Sequence, residues 1–426
     1  MKKILLFCVI SLSFCSCKVS LGTFVKYLPE VVKELSYVSK ESRMEKNTET
    51  TYQYGKKSPF VFKDENIYIP CKINDTTHLL LYETDGFFLT FQEQIYGNVE
   101  FPKTEKTIKV RTTIQGATMK RGLRYYNIES DFFDFKQSVG RLFSISSDTI
   151  ISKCMPENNK DRFYLSSNIF PKWGDVMLLS FSDTSITLFD SSDRYKVMTN
   201  VTLFNSDDDR YDATGFTLIK SIISSCTGIL VYLAVEGVEE LFLFNTADKG
   251  FLSLPQSEQY KKEDNTSIAR IFRKEYSSNI AIDTLDYQHI NSITMGGYDS
   301  IAGDIFYVKN LYRPTMGMAF ITQYDWIIDM SGEGKIYARK IKDRQHENNS
   351  QNCYQVNVFD TILHISLLPV GDTEYQLFSV IDSVNGEKVT MDNICQMKAL
   401  LNKKHGFIDN EIIVLPPPKT IFLEDK

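Results

Sequence analysis

The sequence predicts a mainly β protein built from two copies of one β unit, followed by a smaller mixed segment. Aromatic residues make up 13% of the 426, with 29 Phe and 23 Tyr, and Ile, Val and Thr are abundant; such side chains suit pleated faces. Stretches of helical period are few. One internal similarity recurs at a spacing of about 162 residues, and the length itself calls for two to four domains.

The N-terminus comes first. Met1, Lys2 and Lys3 precede an apolar run over 4–14 that is too short to span a bilayer, which is the layout of a cleaved export signal. Cys15, Ser16 and Cys17 close it. A lipoprotein peptidase needs a small residue before its cysteine, so Cys17, after Ser16, fits better than Cys15, after Phe14. The expectation is a signal over 1–17 and a lipid on Cys17, each buried methylene holding the chain to a membrane with about 0.8 kcal/mol. Simple secretion after cleavage is the alternative. The expected location is the extracytoplasmic cell envelope, on an outer or cytoplasmic membrane. Beyond the signal, 18–57 reads as a helix over 23–40 and a polar linker over 41–57.

Electrostatics excludes one class of partner. With 48 basic and 54 acidic residues the net charge is -6, neither sign forms a long run, and nucleic acid is not expected as a partner. Cys71, Cys154, Cys226, Cys353 and Cys395 show no CxxC pair and no histidine at ligand spacing. They read as buried small residues with one disulfide at most, and neither a metal nor a cofactor is expected. His78, His289, His346, His364 and His405 are isolated, and no serine sits in a Gly-x-Ser-x-Gly elbow. Met295, Gly296, Gly297 and Tyr298 read as a hairpin turn, while Trp173 and Trp326 read as core.

The repeat carries most of the information. Residues 68–91 and 232–254 each run as an alternating strand, a polar turn, an apolar strand, a Thr-containing turn and a further apolar strand. Leu81, Tyr82, Glu83 and Thr84 match Leu243, Phe244, Asn245 and Thr246. Both are followed by an acid, a glycine and a Phe-Leu pair. A second match pairs 168–188 with 317–337, each a short apolar or helical piece followed by a strand hairpin.

These residues resemble the retropepsin-like and pepsin-like aspartic peptidases. In that family a hydrophobic-x-Asp-Thr-Gly turn is followed by an Ile-Gly-x-Asp-Phe-Leu element and a final hairpin. Thr315, Met316, Gly317, Met318, Ala319, Phe320 and Ile321 resemble the second element, with Ala319 where the family often has an acid, and 324–329 continues it. The first copy, Ser167 to Phe170, lacks the glycine. Further on, Phe378, Ser379, Val380, Ile381, Asp382, Ser383, Val384, Asn385 and Gly386 are similar to the Gly-Asp-x-Ile-x-x-Val-Asn-Gly of PDZ domains. There 362–368 would be the preceding strand and 393–401, within a helical pattern over 391–401, the family's helix. The resemblance implies two pepsin/retropepsin-like β-barrel lobes related by duplication, over 58–195 and 196–345, and a small α+β PDZ-like domain over 353–426, behind a linker at 343–352.

The family's chemistry needs two carboxylates sharing one proton, one from each lobe, so that one acts as base toward water and the other as acid. Here Thr84 and Thr246 are kept, but the acid positions hold Glu83 and Asn245, and the glycine positions Asp85 and Ala247. An amide cannot ionise, and Glu83 is one methylene too long. Asp85 and Asp248 could form a shifted pair, or could be turn acids held by local hydrogen bonds. The leading expectation is a catalytically inactive surface lipoprotein binding peptide or protein through its interlobe cleft and PDZ-like module. An active endopeptidase with a non-standard acid pair, and a structural surface component with a closed cleft, are the alternatives. Residues 359–368 lack glycine, so capture of free peptide C-termini by backbone amides there is expected to be weak, and the module is expected to dock on the second lobe or a partner.

Overall fold

The computed structural model describes residues 49–63, 65–84, 91–96, 108–111, 118–146, 161–166, 175–190, 215–224, 228–256, 266–273, 280–308, 311, 313–330, 334–342, 354–359, 362–403 and 405–417. Cys17, the signal over 1–17 and the helix expected at 23–40 lie outside these residues, as do Asp85, Trp173 and the first copy's Ser167 to Phe170.

The first half comprises β1 (Glu49–Tyr52), β2 (Lys57–Pro59), β3 (Val61–Lys63), β4 (Asn66–Ile73), β5 (Thr76–Glu83), β6 (Phe91–Tyr96), β7 (Ile108–Arg111), β8 (Thr118–Glu129), β9 (Phe133–Ser146), β10 (Asp161–Ser166), β11 (Val176–Ser180) and β12 (Ser185–Phe189). The second comprises β13 (Thr217–Ile219), β14 (Ser221–Ser224), β15 (Gly228–Val235), β16 (Val238–Phe244), β17 (Leu252–Pro255), β18 (Thr266–Arg273), β19 (Ile280–Thr294), β20 (Ile301–Val308), β21 (Thr315–Met316), α1 (Met318–Ile321), β22 (Tyr324–Asp329) and β23 (Lys335–Lys340). The chain is mainly β, and the duplication is visible in its pairings.

Strands β2 to β12 correspond one for one to β13 to β23. The hairpins β3–β4 and β4–β5 recur as β14–β15 and β15–β16. Parallel β5–β10 and antiparallel β10–β6 recur as β16–β21 and β21–β17. Parallel β6–β9 and antiparallel β8–β9 recur as β17–β20 and β19–β20. The matched turns also agree in backbone geometry. Asn74 and Asp75 connect β4 to β5 with φ of 45° and 71°, and Glu236 and Gly237 connect β15 to β16 with φ of 50° and 84°. Two-residue hairpins need this left-handed geometry to match the strand twist.

The halves meet in a six-stranded sheet of order β13-β23-β22-β11-β12-β2. At its centre β11 and β22 pair antiparallel, Met177 opposite Ile328 and Leu178 opposite Ile327. Both central strands are buried on both faces or nearly so, which explains why they read as continuous apolar runs rather than alternating ones. Trp326 is fully buried, with its ring edge-on to Phe244 at 5.1 Å and its Nε1–H donating to the Ile321 carbonyl at 2.8 Å.

The last segment forms β24 (Gln355–Phe359), β25 (Ile362–Pro369), β26 (Val380–Val384), β27 (Glu387–Lys388), α2 (Ile394–Leu401) and β28 (Ile412–Leu415). It has its own core, in which Val356, Leu363, Ile365, Ile381, Val384, Ile394, Met397 and Leu401 are buried together. Asn385 and Gly386, with φ of 53° and 77°, turn the chain from β26 into β27.

Two expectations need correction. The polar stretch 41–57 is not linker throughout: 49–52 is β1, whose Thr and Tyr side chains suit a strand once β9 supplies the partner edge, with Tyr52 against the Phe135 ring at 5.6 Å. The helix expected over 391–401 begins only at Ile394, because Asn393 Oδ1 accepts from the Thr390 N–H at 2.7 Å and holds the preceding residues in a turn. The strand expected over 362–368 is present as β25, Ile362–Pro369, paired with β24 and, at Ala269 opposite Leu368, with β18 of the second half.

Candidate functional site

The site grows from the alternation on β5 and β16. Leu80 and Tyr82 point into the core, as do Phe242 and Phe244. Period-two geometry then turns the next residues of the same parity, Thr84 and Thr246, inward as well. Both are buried, at 3% and 0% exposure, so their polar groups must find partners inside the protein.

They find each other. The Thr84 N–H donates to Thr246 Oγ1 at 2.9 Å, and the Thr246 N–H donates to Thr84 Oγ1 at 3.0 Å. Each hydroxyl then donates across to the opposite strand's end, Thr84 to the Phe244 carbonyl at 2.7 Å and Thr246 to the Tyr82 carbonyl at 2.9 Å. A hydroxyl that accepts one hydrogen bond and donates another is what this arrangement requires. The four bonds relate the halves by a local twofold.

Glu83 and Asn245 immediately precede the two threonines. Glu83 ends β5, half-buried and in register with Ser166 of β10. Asn245 follows β16; its backbone N–H donates to the Met316 carbonyl at 3.0 Å, and its Oδ1 accepts from the N–H groups of Ala247 at 2.8 Å and Asp248 at 3.3 Å. The amide is thus folded onto its own turn.

Asp248 is also held locally. Its Oδ1 accepts from the Gly250 N–H at 2.8 Å, Ser253 Oγ lies 3.5 Å from Oδ2, and burial raises its pKa above the usual carboxylate value. The loop it stabilises receives the start of α1: Met318 N–H donates to the Asp248 carbonyl at 2.7 Å, and Gly317 N–H to the Phe251 carbonyl at 3.0 Å. A Cβ on Gly317 would stand 2.2 Å from the Gly250 carbonyl oxygen, so only glycine permits this approach.

The six-stranded sheet carries a polar contact that the sequence did not single out. Asp325 on β22, 1% exposed, accepts from Ser180 Oγ at 3.1 Å, from Ser182 N–H at 2.9 Å and Oγ at 2.8 Å, and from Arg339 at 2.8 Å. It links the second half to the turn after β11 in the first. The only advance signal was two serines around Phe181, a pattern too common to notice.

Chemically, the two threonines meet at the twofold, and Glu83 and Asn245 are the residues that precede them in the chain. No group of three His, Cys, Asp or Glu side chains among the described residues could hold a metal. His289 Nδ1 lies 2.8 Å from Asp304 Oδ1 on β19 and β20, so this histidine is not isolated. Cys71 is a buried free thiol whose pKa burial raises, whereas Cys395 is disulfide-bonded to a sulfur outside the described residues.

No family profile and no curated protein matches the chain. Among solved structures it is similar to a retropepsin-like aspartic protease from Rickettsia conorii, with 15% identity and a TM-score of 0.23 over 29% of this chain and 91% of that one. It is also similar to the aspartic proteinase from Irpex lacteus, with 10% identity and a TM-score of 0.35 over 69% of this chain and 99% of that one.

Proposed function

We propose that this protein is a catalytically silent relative of the aspartic peptidases, a cell-envelope lipoprotein whose two lobes hold a peptide or protein ligand between them. The observation that carries the reading is the reciprocal threonine contact. Glu83 and Asn245 directly precede the two threonines that make it, at the positions where the chemistry of such a site needs two ionisable carboxylates. Asn245 carries no proton that could be shared, and its carbonyl oxygen is engaged with its own turn. Losing one member of a cooperating pair removes most of the rate. A shifted pair using Asp248 is disfavoured because that carboxylate caps the Gly250 N–H within its own loop. Purified protein is therefore expected to leave unfolded protein substrates intact across about pH 3 to 8, the range over which carboxyl dyads work.

The tether belongs to the same proposal. It rests on the Lys2-Lys3 start, the apolar run and Ser16 before Cys17, and the disulfide at Cys395 agrees with an oxidising compartment. Fatty-acid labelling should mark the protein, and Cys17→Ala should abolish the label and release the protein to the soluble fraction. Label retained in Cys17→Ala but lost in Cys15→Ala would move the anchor. The C-terminal segment is read as a PDZ-like module, supported by its Asn385-Gly386 turn after β26 and by α2 packed on β24 and β25.

A further inference from the structure

Between Glu105 and Glu129 the chain carries Lys106, Lys109, Arg111, Lys120, Arg121 and Arg124 and no acid, in a protein whose net charge is -6. The fold gathers most of this stretch into one hairpin. Strand β7 closes one end of the nine-stranded sheet, and among the described strands it pairs only with β8. The register sets Lys109 opposite Lys120, Arg111 opposite Thr118 and Ile108 opposite Arg121. Like charges at directly opposed positions destabilise an antiparallel pair. Further along β8, Arg124 Nη1 lies 3.8 Å from Glu93 Oε2.

The second half builds the equivalent hairpin, β18 with β19, differently. There Arg270 stands opposite Asp283, and the outer edge of β18 is taken by β25. Duplication thus gives one hairpin in which base faces acid and one in which base faces base. A concentration of one sign at a sheet edge attracts an extended surface of the other sign, and the tether decides which surface is within reach. Cys17 lies 32 residues before Glu49, at most roughly 110 Å of chain. Strand β1, which begins at Glu49, pairs with β9 of the same sheet.

We propose that the basic edge formed by β7 and β8, where Lys109 stands opposite Lys120, is a docking surface for the anionic headgroups of the membrane that carries the tether. The proposal rests on the tether reading for the partner's place, whereas its own chemistry is charge alone. Each Lys or Arg beside an anionic leaflet is worth about fivefold in binding, so this edge fixes which face of the protein meets the bilayer.

The test uses the full chain with Cys17→Ala, so that no acyl group contributes. Its probes are phosphatidylcholine vesicles with or without about 30% phosphatidylglycerol, which gives their surface a negative potential. Binding should need phosphatidylglycerol and fall at least roughly tenfold between about 0.05 and 0.5 M salt. Adding Lys109→Gln/Lys120→Gln should weaken it about thirtyfold and, by removing a like-charge pair, leave the melting temperature unchanged or higher. Adding Arg270→Gln/Arg273→Gln on the equivalent hairpin should leave binding unchanged. Fatty-acid labelling reads the tether separately, so failure of one reading is told from failure of the other. Binding that ignores phosphatidylglycerol, or that both double variants weaken equally, overturns the proposal. Binding to polyglutamate but not to the vesicles assigns the edge to an acidic protein and also overturns it. So does a Lys109→Gln/Lys120→Gln protein that binds vesicles unchanged but self-associates, since the lysines would then serve only to keep a sheet edge from pairing with another copy.

Discussion

Replacing Thr246 with valine will destabilise the protein by about 2–6 kcal/mol, although the side-chain shape is nearly conserved. The methyl group that takes the place of Oγ1 leaves the Thr84 N–H without its acceptor and the Tyr82 carbonyl without its donor, both in a region closed to water. Each orphaned buried group costs about 1–3 kcal/mol. Thr84→Val breaks the equivalent pair at Thr246 N–H and the Phe244 carbonyl, so it should cost about as much. The double variant should cost less than the sum, because the two hydroxyls share one network. Denaturant unfolding of the three variants measures this; a loss below about 1 kcal/mol, the level of an ordinary solvent-compensated hydrogen bond, would show that the halves are not joined there.

Asp325→Ala should be of comparable size, at about 3–5 kcal/mol, the usual result of removing one partner of a buried ion pair. The change strips Ser180, Ser182 and Arg339 of a common acceptor at once. Arg339→Ala should cost less. Its side chain is 21% exposed, and Asp325 would keep the two serines and the Ser182 N–H. It would still lose the stacking of the Arg339 guanidinium over the Phe216 ring at 4.6 Å. The ordering of the two variants in thermal or chemical unfolding checks whether Asp325 is the hub of the contact.

What could be read in advance was what local pattern determines. Period-two alternation along β5 and β16, the two-residue turns before them and the threonines after them all have short-range signatures, and their recurrence exposed the duplication. The strand β1 could not be read. Its Glu, Thr, Thr and Tyr become a strand only because β9 offers an edge from far along the chain. Asp325 looked like one more residue of an apolar hairpin, since nothing local says that a serine pair from the other half will meet it. The same held for Asn245: the sequence shows an amide at that position, but only the structure shows it turned back on its own loop.

The account turns on whether a peptidase scaffold survives with its acid pair disarmed. Cleavage of an unfolded protein substrate by the wild type, beside the Glu83→Asp/Asn245→Asp double variant, measures this most directly. The wild type is expected to be silent, and pepstatin-type inhibitors, which mimic the intermediate held by two carboxyl groups, should bind it poorly. The double variant should acquire acid-range cleavage that such inhibitors block. Cleavage by the unmodified protein that disappears in Asp248→Asn would contradict the account and assign the chemistry to the shifted acid.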